Sequence, residues 1–161
     1  MTAEMCPPSH LRPLPVPSPE SKAFWLAARY HNLMLPHCNQ CGKFWFPPSC
    51  LCPHCLSADT SLQESNGRGK VHTFAVFHRV NHPAFTNWVP YVVAVIELDE
   101  GPRLLSNITD VDPDNVHCGM RVFVRFIDLS TQIALPVFSP CDASAERNDG
   151  AVRLSRVSEC S

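Results

Sequence analysis

Four cysteines in two C-x-x-C turns offer the clearest chemistry in the chain: Cys38-Asn-Gln-Cys41, followed at once by Gly42, and Cys52-Pro-His-Cys55. Each turn brings two thiolates toward one point, and two such turns supply the four soft ligands that tetrahedral zinc prefers. Gly42 suits a tight turn after the second cysteine, because a residue without a Cβ takes positive φ at no steric cost. Ten residues separate the pairs, fewer than the roughly 15–20 of the commonest template, a spacer that zinc ribbons tolerate. A centre with four sulfur ligands has no open position, so it holds structure and does no chemistry. The competing readings are two disulfides or a thioredoxin-like redox pair. Redox pairs normally come singly, and disulfides need an oxidising compartment, for which the sequence carries no export signal. A redox sensor built on these turns would release zinc and form disulfides under mild peroxide.

The other candidates for chemistry are weaker. His72, His78 and His82 are among eight histidines, but a lone histidine on a strand is ordinarily a satisfied core or surface residue. No G-x-S-x-G elbow and no H-E-x-x-H helix occurs. Cys118-Gly119 sits in a turn without the helix N-terminus or nearby base that would activate a thiol, so it reads as structural. Cys50, two residues before Cys52, lacks the C-x-x-C geometry and reads as a bystander. Asp99 and Glu100 form a charged turn, not a spaced acid–base pair. Gly67-Arg68-Gly69-Lys70 invites a phosphate cradle, yet no P-loop lysine–serine follows and the next segment is a strand; a turn or bulge at a barrel mouth is expected. No catalytic residue is assigned.

A chain of 161 residues, 45% of them hydrophobic, makes one medium domain or a small module beside a core domain. A formal net charge of −2 lacks the basic footprint of nucleic-acid binders. A nucleic-acid module remains the alternative function, since zinc ribbons and OB-folds both occur there; it calls for basic clusters with stacking aromatics. No apolar run nears the ~20 residues of a membrane span, and no basic-then-apolar leader opens the chain, so a cytoplasmic protein without membrane association is expected. Of the nine cysteines, Cys6, Cys50, Cys118, Cys141 and Cys160 remain after the proposed ligands. That irregular remainder reads as reduced thiols, not as a disulfide framework.

These features need elements to position them. Residues 1–17 are proline-rich and aperiodic, an extended arm. Ser18-Pro19-Glu20 starts a helix, with Ser18 as cap, Pro19 at the first helical position and Glu20 at the positive end of the dipole. The helix is expected over 19–30, presenting Ala23, Phe24, Ala27 and Tyr30 or His31 on one apolar face. Leu33-Met34-Leu35 reads as a short strand that completes a segment of 18–35. The ribbon occupies 36–64; Phe44, Trp45 and Phe46 are expected around its metal because so small a unit has little other core. Residues 57–64 read as a polar linker.

Five strands follow within 65–140. They are expected at 71–78, 90–98, 103–108, 120–127 and 133–138. The second is a near-continuous apolar run, as for a strand covered on both sides. The turn Asp99-Glu100-Gly101-Pro102 joins it to the third, and Asp112-Pro113-Asp114 makes a second turn or single-turn helix. The fourth alternates in character, and Pro136 places the fifth at an edge or bulge. Five strands with a long first connection, 79–89, predict a Greek-key barrel of the OB type. The fold class is therefore mainly β with an N-terminal helix. Residues 141–161 read as a polar, mobile tail.

Taken in order, the helix, Cys38-Asn-Gln-Cys41-Gly42, Pro47-Pro48, Cys52-Pro53-His54-Cys55, Gly67-Arg68-Gly69-Lys70, Pro90-Tyr91-Val92-Val93-Ala94, Glu97-Leu98-Asp99-Glu100-Gly101, Asn107-Ile108, Gly119-Met120-Arg121-Val122 and Leu135-Pro136-Val137-Phe138 form a specific set. The set resembles the family that joins a rubredoxin-like zinc ribbon to an acyl-CoA-associated OB-fold, over residues 24–140. The resemblance implies structural zinc on Cys38, Cys41, Cys52 and Cys55. It implies a non-catalytic accessory subunit of a hetero-oligomer with a thiolase-superfamily protein, either a thiolase or an aldolase, or with a hotdog-fold hydratase. Such subunits help form the partner's acyl-CoA site, as in the breakdown of steroid or aromatic acids, so a CoA thioester is an expected shared ligand. The chain departs from the pattern at Leu56, where the family often has glycine. For contact with acyl-CoA or partner, the long aromatic loop proposes His82, Phe85 and Trp88, and Arg68, Lys70 and Arg79 are proposed for CoA phosphates.

Overall fold

From residue 68 onward, β-branched and aromatic residues recur with the two-residue period that puts alternate side chains on opposite faces. The computed structural model describes residues 13–80 and 82–141, and in it this stretch closes into a five-stranded barrel. Its strands are β3 (Arg68–Phe77), β4 (Tyr91–Leu98), β5 (Arg103–Ile108), β6 (Arg121–Asp128) and β7 (Ala134–Pro140). Around the barrel the order is β3-β4-β5-β7-β6, and β6 returns to β3 through Arg68↔Phe123, Gly69↔Val122 and Lys70↔Arg121. Ahead of the barrel stand α1 (Lys22–Arg29), β1 (Met34–Cys38) and β2 (Thr60–Glu64). Single 3-10 turns at Pro83–Phe85 and Pro113–Asn115 interrupt two of the barrel connections. The expected fold class is the observed one. The N-terminal arm up to residue 12, and the tail from residue 142 onward, lie outside the described residues.

Barrel closure depends on two glycines. A Cβ on Gly69 would lie 2.6 Å from the Glu97 carbonyl oxygen, and one on Gly67 would lie 2.4 Å from Val124 Cγ1. The glycine-rich stretch is thus neither a phosphate cradle nor only a turn. It opens the first barrel strand, with Gly69 against the Glu97 backbone and Gly67 against the Val124 side chain. Inside, Val71, Val92, Ala94, Ile96, Leu98, Leu104, Ile108, Val122 and Phe138 form one buried cluster, joined by Phe24, Leu33 and Leu35 from the N-terminal elements. Burying such side chains is the main stabilising term, at about 25 cal/mol per Å² of apolar surface.

Four sequence expectations need correction. The helix starts at Lys22, not Pro19: the Ser18 N–H donates to Ser21 Oγ at 2.9 Å and the Ser21 N–H to Ser18 O at 3.1 Å, closing a separate turn over Pro19 and Glu20. Its buried residues are Phe24 and Ala28, while Tyr30 is two-thirds exposed. Residues 60–64 are no linker but β2, paired antiparallel to β1 from Met34↔Glu64 to Cys38↔Thr60. Thr-Ser-Leu-Gln-Glu hides this because the outer strand of a two-stranded ribbon stays largely solvated. β4 is buried on one face only, with Val92, Ala94, Ile96 and Leu98 inside and Tyr91, Val93, Val95 and Glu97 half-covered outside. Pro136 lies on no edge, because the barrel is closed. It tolerates that place because β5 and β7 share a single registered pair, Ile108↔Phe138, and Ser106 Oγ donates to Pro136 O at 2.8 Å.

Two substitutions test this packing by chemical denaturation. Gly69→Ala drives a methyl into backbone and is expected to cost about 1–3 kcal/mol. Phe138→Ala empties the barrel centre and is expected to cost about 3–5 kcal/mol.

Candidate metal centre and barrel-end cleft

Two backbone knuckles of the same design position the four cysteines. In the first, Gly42 N–H donates to Cys38 O at 2.9 Å and Cys41 N–H to Cys38 Sγ at 3.4 Å. In the second, Leu56 N–H donates to Cys52 O at 2.9 Å and His54 N–H to Cys52 Sγ at 3.4 Å. Gly42 and Leu56 occupy the same left-handed position, at φ 70° and 61°. Leu56 therefore keeps the turn that glycine would make, at a steric cost of roughly 1–2 kcal/mol. β1 delivers Cys38 at its last residue, and the pairing of Cys38 with Thr60 holds the base of the ribbon shut.

The sulfurs converge. Cys38 Sγ is 3.5 Å from Cys55 Sγ and Cys41 Sγ is 3.7 Å from Cys52 Sγ, and all four lie within 4.8 Å of one another. With Zn–S bonds of about 2.3 Å, a tetrahedron has edges of about 3.8 Å, so the cage fits zinc. The surroundings of the thiols make the same point. The Cys41 N–H pulls the Cys38 thiol down to about 7. Cys55 goes up to about 12, because burial and the three facing sulfurs outweigh the lowering pull of the Ser57 N–H. One thiolate forms readily and the last scarcely at all, so a bound cation is what permits four together. Cys50 is exposed and stands outside this cluster.

The three aromatics between the knuckles divide their work. Trp45 packs with Cys38 and Cys52 in a small separate core, its indole N–H donating to Ser49 Oγ at 3.0 Å. Phe46 turns the other way, 5.3 Å from the Phe24 ring, and Phe44 joins the same side. The expectation that all three surround the metal holds for Trp45 alone.

The six residues proposed for acyl-CoA or partner contact fall in two places. His82, Phe85 and Trp88 lie in the first barrel connection, where Phe85 is 6.1 Å from His82, 6.3 Å from Trp88 and 6.3 Å from Tyr91. His82 Nδ1 accepts the Ala84 N–H at 3.2 Å. Arg79 is exposed at the start of that connection. Arg68 and Lys70 stand at the opposite end of β3, about 20–30 Å away along a ten-residue strand. Lys70 is ion-paired with Glu97 at 2.9 Å. Spacing in sequence gave no sign of this separation.

Sequence reasoning also missed a cleft of about 560 Å³ at the aromatic end of the barrel, lined by Trp88, Tyr91, Asn107, Asp110, Arg125 and Ile127 among others. Asp110 accepts Ser139 Oγ–H at 2.5 Å and lies 3.9 Å from Arg125 Nε. Its residues come from four separated segments, so no local motif announces it. Among the described residues, no helix is long and apolar enough to cross a membrane.

Chelation is expected to strip one zinc per chain and unfold the ribbon before the barrel, followed by metal analysis and far-UV circular dichroism. Because protons compete for the thiolates, zinc occupancy is expected to fall as pH falls. Leu56→Gly is expected to strengthen resistance to chelator by roughly 1 kcal/mol, relieving the left-handed leucine.

Comparison with known proteins agrees with this architecture. The family profile described as the ChsH2 rubredoxin-like zinc ribbon domain matches residues 25–61, and that of the ChsH2 C-terminal OB-fold domain matches residues 62–126. A probable enoyl-CoA hydratase alpha subunit of Thermomonospora curvata is 40% identical over 83% of this chain and 41% of its own length. The 3-oxo-4,17-pregnadiene-20-carboxyl-CoA hydratase alpha subunit of Mycobacterium tuberculosis is 33% identical over 71% of this chain and 36% of its own. The chain thus spans about two fifths of these curated relatives. A solved chain of the Ltp2-ChsH2(DUF35) aldolase superposes with a TM-score of 0.72 at 36% identity, over 79% of this chain and 98% of that one. With a four-sulfur ribbon, a closed five-stranded barrel and these matches over most of its length, the chain belongs to the ChsH2 zinc-ribbon and OB-fold (DUF35) family.

Proposed function

We propose that this chain is a non-catalytic accessory subunit that binds and stabilises a thiolase-superfamily partner, a thiolase or retro-aldolase, and helps form its acyl-CoA site. The reading extends to the degradation of steroid or aromatic acyl-CoA thioesters. The observation that carries it is the near-complete coverage of a chain from an aldolase that bears the ChsH2 (DUF35) name. The two hydratase subunits, both named for CoA thioesters, support the substrate class.

The chemistry of the site is consistent with a division of labour. Four sulfurs saturate a tetrahedral zinc, which then shapes the ribbon and offers no position to substrate. The barrel contributes surface: Trp88 belongs both to the aromatic connection and to the cleft, which suits a wall beside an acyl–pantetheine arm. In this reading His82, Phe85 and Arg79 border that wall. Arg68 and Lys70, at the far end, do not share it. The partner supplies the nucleophile and the acid–base groups.

The test is co-expression with a thiolase-superfamily protein encoded beside this chain. A stable complex that performs thiolysis or retro-aldol cleavage, with neither subunit active alone, is the expected result. Turnover by this chain alone, or failure to form any such complex, would overturn the assignment.

A further inference from the structure

The outward face of β3, β4 and β5 carries a run of apolar side chains. A register shift between Val71 and Thr73 resets the alternation of β3, so Thr73, Ala75 and Phe77 face outward beside Val95, Val93 and Tyr91 of β4. On β5, Leu105 pairs with Val95 and Asn107 with Val93. Leu105 is 68% exposed at the middle of its strand, while its neighbour Leu104 is buried in the barrel. Soluble surfaces seldom present a contiguous apolar strip of this kind unless something covers it.

Charge bounds one end of the strip and aromatic rings bound the other. Arg121, Lys70, Glu97 and Arg103 are successive register partners on four adjacent strands. Lys70 Nζ and Arg103 share Glu97, at 2.9 and 3.1 Å. Arg121 grips Asp99 with two bonds of 2.8 Å, and Arg68 also acts on Asp99. His72 stands 3.7 Å from Glu97, and Glu100, in the adjoining turn, is engaged by the Asn66 N–H at 2.7 Å. Four permanent cations, Lys70, Arg103, Arg121 and Arg68, thus stand against three carboxylates, Glu97, Asp99 and Glu100, a surplus of one positive charge at this end. At the other end Phe77 and Tyr91 stack at 5.1 Å.

We infer that this face is the docking surface of the chain, and that its occupant is a protein face with an apolar stripe ending in carboxylates. The inference rests on the accessory-subunit reading above and names the surface that reading requires. Charge complementarity selects the occupant: the surplus of cations draws acidic side chains, which steer and orient an approaching protein. A nucleic-acid strand would need aromatic platforms along its length, and the aliphatic middle of the strip, Ala75, Val93, Val95 and Leu105, gives bases nothing to stack on. From Tyr91 to Glu97 the strip is about 20 Å long and three strands, about 10 Å, wide. That is the footprint of a protein element and not of a small ligand.

Two variants of the full chain test the inference in complex with the co-expressed thiolase-superfamily protein. Leu105→Asp is expected to weaken association about 30-fold or more, as for a central anchor. Arg103→Glu is expected to weaken it about tenfold and to reduce its salt dependence. Zinc content and melting of each variant alone report that the fold is intact, and both side chains are more than half exposed. A wild-type complex that both variants form equally well overturns the surface and leaves the accessory-subunit reading standing. If the wild type forms no complex, both fall together. A wild-type homodimer that Leu105→Asp makes monomeric in sedimentation assigns the face to a second copy and overturns the inference.

Discussion

Four thiols held within 4.8 Å of one another set a condition that the ribbon cannot escape. Bringing four negative charges so close in a partly buried place is prohibitive without a cation: the Cys41 N–H draws the Cys38 thiol down to about 7, while burial and the facing sulfurs push Cys55 up to about 12. A cation converts the repulsion into cohesion. The ribbon has little else: its own core is Cys38, Trp45 and Cys52, and its sheet has two strands. A unit so small relies on metal where a larger one would rely on apolar burial.

The barrel is stabilised by different means, and the two units are joined by packing. Phe24, Leu33 and Leu35 belong to the same buried cluster as Phe138 and Val71, so the segment before the ribbon fills the side of the barrel. Phe46, between the knuckles, reaches the Phe24 ring at 5.3 Å, and the Ser65 N–H donates to Leu33 O at 2.8 Å where the chain leaves β2. His31, just beyond α1, contacts Asp128 at 2.9 Å and stacks on Phe126. Loss of metal order would thus be felt in the barrel core, because Phe24, Leu33 and Leu35 share one buried cluster with residues of β3, β4 and β5.

The outward side chains of β3 to β5, Leu105 foremost among them, take no part in that buried cluster. The charged residues of the face are tied into pairs that hold their side chains in place, so they can orient a partner without first being ordered. The cleft by Trp88 and Arg125 opens where β5 and β7 diverge beyond their single registered pair. A barrel with five fully paired seams would leave no such opening.

The amino-acid sequence by itself determined the four-sulfur set and the course of the barrel hairpin from Tyr91 to Ile108. Both are local: a C-x-x-C turn converges its own thiols, and an apolar run ended by Asp-Glu-Gly-Pro reads as a strand and its turn without a distant partner, although the run did not show that only one face is buried. Strand β2 was illegible because Thr60–Glu64 becomes a strand only through its register with β1, and a solvated outer strand carries no apolar signature. The distance between Lys70 and Phe85, the cleft, and the paired state of the cations were equally hidden. They depend on where a bulge resets the alternation of β3 and on which strands the closed barrel makes neighbours. Tertiary structure decided these, because register and closure join residues far apart in the chain, and spacing along it does not record which side chains will meet.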